Sequence, residues 1–425
     1  MNLLLKSSIV NLQSAISITG SKSETNRLLL LQALYPNLIL ENTSNSDDSE
    51  VMIKALNSPL ATLRSPSARV TIHHSQLIDV HHAGTAMRFL TAYFAIQENL
   101  EVVLTGSSRM KERPIKILVE ALHQLGAEIS YEENEGFPPI RIKGKKLIKN
   151  KVSLSANVSS QYISALLLIA PKLENGLELT LEGEITSVPY IKMTLALLNE
   201  IGVETSFIEN KIEVCHAELV EAHQSIIVES DWSSASYFYS IVALSAIGTE
   251  ISLSSYKKNS LQGDSILAEF YKNFGVETTF QDNTILLKNA ENFLPRTSYL
   301  ELDLNNSPDI AQTIAVTCFG LGLSCHLTGL HTLKIKETDR LLALKNELEK
   351  LGAKVSITDD SLNLEPSVIA RNVAISTYQD HRMAMAFAPL ALKTNIIIED
   401  AEVVSKSYPA FWEDIKSIGF IISEL

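Results

Sequence analysis

Lys336-Glu337-Thr338-Asp339-Arg340 puts four ionisable side chains into five consecutive positions. An acid flanked by two cations of different shape can clamp a small anion and move a proton beside it. Lysine offers a point charge, and arginine a planar fork that matches a carboxylate or phosphate. Related clusters recur along the chain. Lys22, Ser23, Asn26 and Arg27 fall on one helical turn. His82-Ala83-Gly84-Thr85 offers a glycine where backbone can approach a ligand closely. Arg109, Lys111 and Arg113 place three cations within five residues. Ser159-Ser160-Gln161 supplies hydroxyl and N–H donors suited to phosphate. Asp309, after Ser307-Pro308, is placed to take a proton from a bound hydroxyl. Asp380-His381-Arg382 and Lys406 complete the set. Taken singly, each cluster also reads as a helix cap or a surface ion pair.

The elements that must hold these groups show a rhythm. Leu341, Leu342, Leu344, Leu348 and Leu351 follow the 336–340 cluster at helical spacing, with Glu337 and Thr338 where the helix is expected to begin and Gly352 as its stop. The same pattern, an amphipathic helix stopped by glycine and followed by a strand, occurs at 118–129, 195–205, 267–278, 344–355 and, shortened, at 415–421. Its glycines are spaced 76, 73, 77 and 67 residues apart, a period suited to a small βαβ-type module rather than a solenoid repeat. A second, more apolar helix recurs in step, opening at Lys22-Ser23, Ala83-Gly84-Thr85, Ser159-Ser160-Gln161, Asp231-Trp232-Ser233-Ser234, Ser307-Pro308-Asp309 and Asp380-His381-Arg382. Helices apolar nearly all round are buried. Six polar N-termini on such helices imply free N–H groups and dipole ends facing a shared cavity, which draws anions. The strand-like residues 2–18 are expected to belong with the C-terminal half.

The bulk numbers narrow the function. At 425 residues the chain is expected to form two or three domains around ample core, with 45% hydrophobic residues. Its 36 basic and 49 acidic residues leave a net charge of −13, which argues against a nucleic-acid or anionic-membrane binder. An anionic ligand must therefore be caught by a local basic site. Three loosely spaced cysteines fit neither a disulfide framework nor a zinc site and are expected to be buried thiols in a reducing compartment. No run approaches the roughly 18 apolar residues of a membrane span. The N-terminus has no signal-peptide pattern, so the expected location is cytoplasmic.

Together the clusters resemble the 5-enolpyruvylshikimate-3-phosphate synthase family over essentially the whole chain. The resemblance is carried by GSKSETNR (20–27), AGTAMR (83–88), RMKERP (109–114), SSQYISALL (159–167), SVPYI (187–191), SSASYF (233–238), NNSPDIAQT (305–313), KETDR (336–340), YQDHRMAM (378–385) and SKSYP (405–409), in family order. It implies an α/β fold of two lobes, an inside-out α/β barrel of six βαβαββ repeats, three per lobe. Lobe I would comprise residues 1–20 and 228–425, and lobe II residues 21–227. The implied enzyme is a transferase of the shikimate pathway to chorismate and aromatic amino acids. It would move the enolpyruvyl group of phosphoenolpyruvate to the 5-hydroxyl of shikimate 3-phosphate and release phosphate, with no metal or organic cofactor. A monomer without nucleic-acid or membrane partners is expected.

By the same resemblance, Lys22, Asp309 and Glu337 would be catalytic. Shikimate 3-phosphate would be held by Lys22, Ser23, Arg27, Ser159, Ser160, Gln161, Ser187, Tyr190, Asp309, Thr332 and Lys336. Phosphoenolpyruvate would be held by Lys22, Gly84, Arg109, Gln161, Arg340, His381, Arg382 and Lys406. Gly84 matches members inhibited by glyphosate. Three residues depart from the usual pattern: Thr332 stands where Asn is frequent, Phe89 where Pro is usual, and His82 where Asn is usual. The sister transferase acting on UDP-N-acetylglucosamine begins with Lys-Asn and carries a loop cysteine; here the start is Lys22-Ser23 and residues 107–113 hold no cysteine. A non-catalytic binding member would be expected to have lost Lys22, Asp309 or Glu337, and all three are present.

Overall fold

The computed structural model describes residues 1–7, 12–57, 75–156, 159–183, 185, 188–217, 225–290 and 299–425. The chain divides into two compact units: Met1–Ser21 with Glu229–Leu425, and Lys22–Val228. Both are built from one recurring module, a βαβαββ unit whose first two strands run parallel and whose last two return antiparallel.

In the Lys22–Val228 unit one module runs strand Gln76–Asp79, helix Gly84–Ala95, strand Glu101–Thr105, helix Lys116–Leu125, and strands Glu128–Tyr131 and Ile140–Lys143. Its sheet order puts the last strand beside the second, so the amphipathic helix must cross back over the sheet. The next module repeats this with strands Lys151–Ser155, Leu177–Glu182, Thr205–Ile208 and Lys211–Val214 around helices Ser160–Ile169 and Val188–Glu200. Strand Ile39–Glu41, between helices Lys22–Leu34 and Asp47–Leu56, pairs in parallel with Ser225–Ile227.

The other unit holds three four-stranded sheets of the same order. Gln13–Ile16 pairs with Glu250–Ser254 in the first, and Tyr299–Asp303 with Ser324–Thr328 in the second. In the third, Leu3–Ser7 lies between Ile396–Ile398 and Phe420–Glu424, so the first strand of the chain completes its last module. The strand-like residues 2–18 thus supply two strands to two different sheets; residues 8–11 between them lie outside the described residues.

The apolar helices form the core. Trp232–Leu244 is buried at every position but Ser233, and Ala311–Leu321 packs against both it and His381–Phe387. Small hydroxyl residues let these helices approach and satisfy each other: Thr317 donates to Ser240 at 2.8 Å, and Ser236 and Thr313 share a 3.0 Å bond. The amphipathic helices end on left-handed glycines; at Gly352, φ is +105° and a Cβ would meet Ser367 Oγ at 3.0 Å. Among the described residues no helix is long and apolar enough to cross a membrane.

Four expectations need correction. The helix after the 336–340 cluster starts at Arg340, with Asp339 as N-cap accepting from Leu342 N at 3.0 Å. Glu337 and Thr338 precede it because Asp339 is the side chain that can satisfy the free N–H groups. Leu342 is 47% exposed and does not join the apolar face of that helix. The amphipathic helix expected from Leu267 to its stop at Gly275 is broken: a 3-10 turn Gly263–Ile266 precedes a single α-turn Leu267–Phe270 and a 3-10 turn Tyr271–Phe274. Its aromatic residues are weak helix formers, and Tyr271 and Phe274 are drawn into the core. Finally, Cys318 and Cys325 are buried but Cys215 is exposed, just past strand Lys211–Val214.

Candidate active site

In the Met1–Ser21/Glu229–Leu425 unit, three helix N-termini are joined by side chains. Arg382, in the first turn of His381–Phe387, donates to the Asp309 carbonyl at 3.1 Å and to Ser233 Oγ at 3.2 Å. Asp309 itself lies on a 3-10 turn, Pro308–Ile310, leading into Ala311–Leu321. The proline sits at the start, where its missing N–H costs nothing.

Arg340 is the hub. It is only 2% exposed, and its fork takes three carboxylates: Nε to Asp380 at 2.6 Å, Nη1 to Asp309 at 2.8 Å, and Nη2 to Glu337 at 2.6 Å. Lys336 Nζ is 3.4 Å and Arg382 Nη2 3.5 Å from the Asp309 carboxylate. Lys406 Nζ donates to the Gln379 carbonyl at 2.7 Å. His381 is buried beside Asp380, its Nδ1 3.7 Å from that carboxylate.

The electrostatics pull two neighbouring acids apart. Burial pushes Asp309 up, but Lys336, Arg382 and Arg340 outweigh it and hold the carboxyl well below its usual range. Asp264, which accepts a short hydrogen bond from Ser233, is pushed up to about 7 by burial and by the Asp309 charge. Burial works against the Arg340 charge, and Asp380, Glu337 and Asp309 more than offset it.

The Lys22–Val228 unit carries the other predicted residues. Lys22 opens its helix, with Nζ 3.5 Å from Asp48. Arg27 is buried: Nε donates to Thr194 Oγ1 at 2.8 Å, Nη1 to the Ser23 carbonyl at 2.7 Å, and Nη2 to Ser164 Oγ at 3.0 Å. Its guanidinium lies over Phe89 and Tyr190, with centroids 5.4 and 5.9 Å away, and burial lowers its pKa to about 10. Phe89 thus packs its ring on this cation. Gln161 Nε2 donates to Thr85 Oγ1 at 2.9 Å, joining the first turns of two buried helices. Ser159 caps Ser160–Ile169, and Ser160 is buried. Gly84 opens Gly84–Ala95, where a Cβ would stand 2.5 Å from Arg113 Nη1. Arg109 is 57% exposed and paired with Glu112 at 2.8 Å.

Ser187 lies outside the described residues. The Thr332 hydroxyl, on the turn before Lys336, is buried without a hydrogen-bond partner among the described residues. Sequence reasoning passed over Asp264 and Asp48, treated Asp380 only as a helix opener, and counted Arg113 only among the cations of its cluster. Asp380 was findable, since a capping acid beside His-Arg is within reach of other cations. Asp264 carries no local signal.

The model of the EPSP synthase (3-phosphoshikimate 1-carboxyvinyltransferase) family matches residues 6–415. A 3-phosphoshikimate 1-carboxyvinyltransferase of Bacteroides fragilis is 44% identical over 414 residues, covering 96% of each chain. One from Haemophilus influenzae is 36% identical over 427 residues, again covering 96% of each. Among solved structures, EPSP synthase from Acinetobacter baumannii superposes with a TM-score of 0.79 at 20% identity over 100% of both chains. The enolpyruvyl transferase NikO from Streptomyces tendae gives 0.73 at 13% identity, covering 99% of this chain and 98% of that one. These two show the fold, and the family match and the curated relatives show the lineage: the chain belongs to the EPSP synthase family.

Proposed function

We propose that this chain transfers the enolpyruvyl group of phosphoenolpyruvate to the 5-hydroxyl of shikimate 3-phosphate, releasing phosphate, as a cytoplasmic, monomeric enzyme of the shikimate pathway. The observation that carries the reading is the Arg340 hub, which holds Asp309 and Glu337 on one guanidinium at 2.8 and 2.6 Å. That arrangement would fix a base and an acid beside the cations that would take the phosphoenolpyruvate phosphate and carboxylate.

The charge balance supports a division of roles. In this cluster Arg340, Lys336 and Arg382 are matched by Asp309, Glu337 and Asp380. An arriving phosphate shares those cations, so the carboxylates lose part of their compensation and become more basic. Glu337, 31% exposed against 12% for Asp309 and 0% for Asp380, is the one best placed to pick up a proton. It would deliver that proton to the methylene carbon. The 5-hydroxyl oxygen attacks the adjacent carbon and gives its proton to Asp309, forming a tetrahedral intermediate. Return of a methyl proton to Glu337, with cleavage of the carbon–oxygen bond to phosphate and passage of the Asp309 proton to the departing phosphate, completes the transfer. By the family resemblance, Lys22 would share the proton traffic.

Phosphoenolpyruvate is assigned to Lys22, Gly84, Arg109, Gln161, Arg340, His381, Arg382 and Lys406. Shikimate 3-phosphate is assigned to Lys22, Ser23, Arg27, Ser159, Ser160, Gln161, Ser187, Tyr190, Asp309, Thr332 and Lys336. The unpartnered Thr332 hydroxyl supports that last set, since a buried polar group needs a partner and a ligand hydroxyl would supply it. The test is phosphate release from phosphoenolpyruvate, with Arg340→Ala as control. Release that needs both substrates and vanishes in the control is expected; release without shikimate 3-phosphate, or none from folded protein, would sink the reading.

A further inference from the structure

The residues just before Asp380 adopt a backbone that side chains resist. Tyr378 and Gln379 have φ of +54° and +55°, and Asp380 N donates back to the Thr377 carbonyl at 2.9 Å. A four-residue turn with positive φ at both central positions favours Gly, Asn or Asp there. Tyrosine and glutamine in such a turn persist only where the surroundings hold them.

The surroundings here converge on one carboxylate. Glu347 is fully buried in the Arg340–Lys350 helix. Its Oε1 accepts from the Tyr378 hydroxyl at 2.7 Å, and its Oε2 from Ser376 N at 3.1 Å and Lys350 Nζ at 2.7 Å. Glu347 lies two helical turns beyond Arg340, on the same face. One helix therefore grips both ends of the strained turn: Arg340 takes the Asp380 carboxylate, and Glu347 takes Ser376 and Tyr378. Between them the Gln379 carbonyl accepts from Lys406, and Asp380 Oδ1 accepts from Arg382 N at 2.9 Å.

We propose that Glu347 is a positioning residue for the reaction: its buried carboxylate clamps the left-handed turn at Tyr378–Gln379 and so sets Asp380, Arg382 and the carbonyl that aims Lys406. This rests on the reading above in which Arg382 and Lys406 bind phosphoenolpyruvate. A glutamate that merely stabilised the fold would lower the melting temperature without touching one substrate selectively.

The experiment is steady-state phosphate release with each substrate varied in turn. Glu347→Gln keeps the side-chain volume but removes the charge that the bonds to Ser376, Tyr378 and Lys350 use. It is expected to raise KM for phosphoenolpyruvate roughly tenfold while leaving KM for shikimate 3-phosphate nearly unchanged. Adding Gln379→Gly should bring that KM most of the way back, because glycine holds positive φ without a clamp. Arg382→Ala reads the underlying assignment separately. If it leaves KM for phosphoenolpyruvate unchanged, the assignment fails and this inference with it. If it raises KM while Glu347→Gln does not, the positioning role alone is overturned. A raised KM that glycine at 379 does not lower also overturns it. Should Glu347→Gln fail to fold, Tyr378→Phe removes only the hydroxyl. A raised KM at an unchanged melting temperature then supports the role, and an unchanged KM overturns it.

Discussion

Arg340 Nη1 and Asp309 Oδ1, 31 residues apart in the chain, share a 2.8 Å hydrogen bond inside a cluster where the same guanidinium also holds Glu337 and Asp380. The proposed base is thus neutralised by the residue proposed to bind the substrate anion. An anion that draws on Arg340 raises the basicity of Asp309 in the same act, so substrate arrival and activation of the base are one event.

Arg340→Lys keeps the charge and loses the fork. A single ammonium cannot reach three carboxylates placed around a planar guanidinium, so at least one buried acid is left unpaired. Removing one partner of a buried pair costs about 3–5 kcal/mol, and retaining the charge should halve that loss at best. The expected result is a folded protein with a lower melting temperature and phosphate release reduced at least a hundredfold.

Asp309→Asn removes the base and also the negative charge that Lys336, Arg340 and Arg382 surround. Turnover is expected to fall by about 10²–10⁴. With three cations less well compensated, the variant should gain more in melting temperature from added inorganic phosphate than the parent does. A calorimetric series in phosphate checks this, and equal gains would argue against Asp309 as the shared counter-ion.

Much of this was legible along the chain, because local chemistry fixes local structure. The glycine stops at Gly126, Gly202, Gly275, Gly352 and Gly419 each have positive φ, and the polar openings at Ser159, Asp231 and Asp380 are N-caps. What was hidden depends on partners distant in sequence. Glu347 reads as one more charge in LKNELEK, and only the approach of Ser376 and Tyr378 makes it a buried anchor. Asp264 sits in a polar stretch whose broken helix brings it to Ser233, 31 residues away. The start of the Arg340–Lys350 helix was misplaced because three consecutive residues, Glu337, Thr338 and Asp339, could each cap or open it.

Gly84→Ala sets a methyl 2.5 Å from Arg113 Nη1, the far end of a flexible side chain. The fold should survive, since the guanidinium can move, but the cation displaced is one beside the proposed phosphoenolpyruvate contact. Thermal unfolding within a degree or two of the parent is expected, with KM for phosphoenolpyruvate raised several-fold. Equal effects on both substrates would point instead to a shifted helix.

Asp264 supplies a pH signature. Burial and the Asp309 charge raise its carboxyl from 3.8 to about 7 in the folded chain, so between those values the folded state holds a proton that the unfolded state has released. Its contribution to stability is fully present below about pH 4 and is lost as pH rises through 7, with a slope of at most ~1.4 kcal/mol per pH unit. Asp264→Asn cannot ionise, and its amide oxygen can still accept from the Ser233 hydroxyl. Its melting temperature should therefore gain on the parent from pH 5 to about pH 7 and level off above that. Curves that run parallel across that range would show that Asp264 is already ionised in the folded protein.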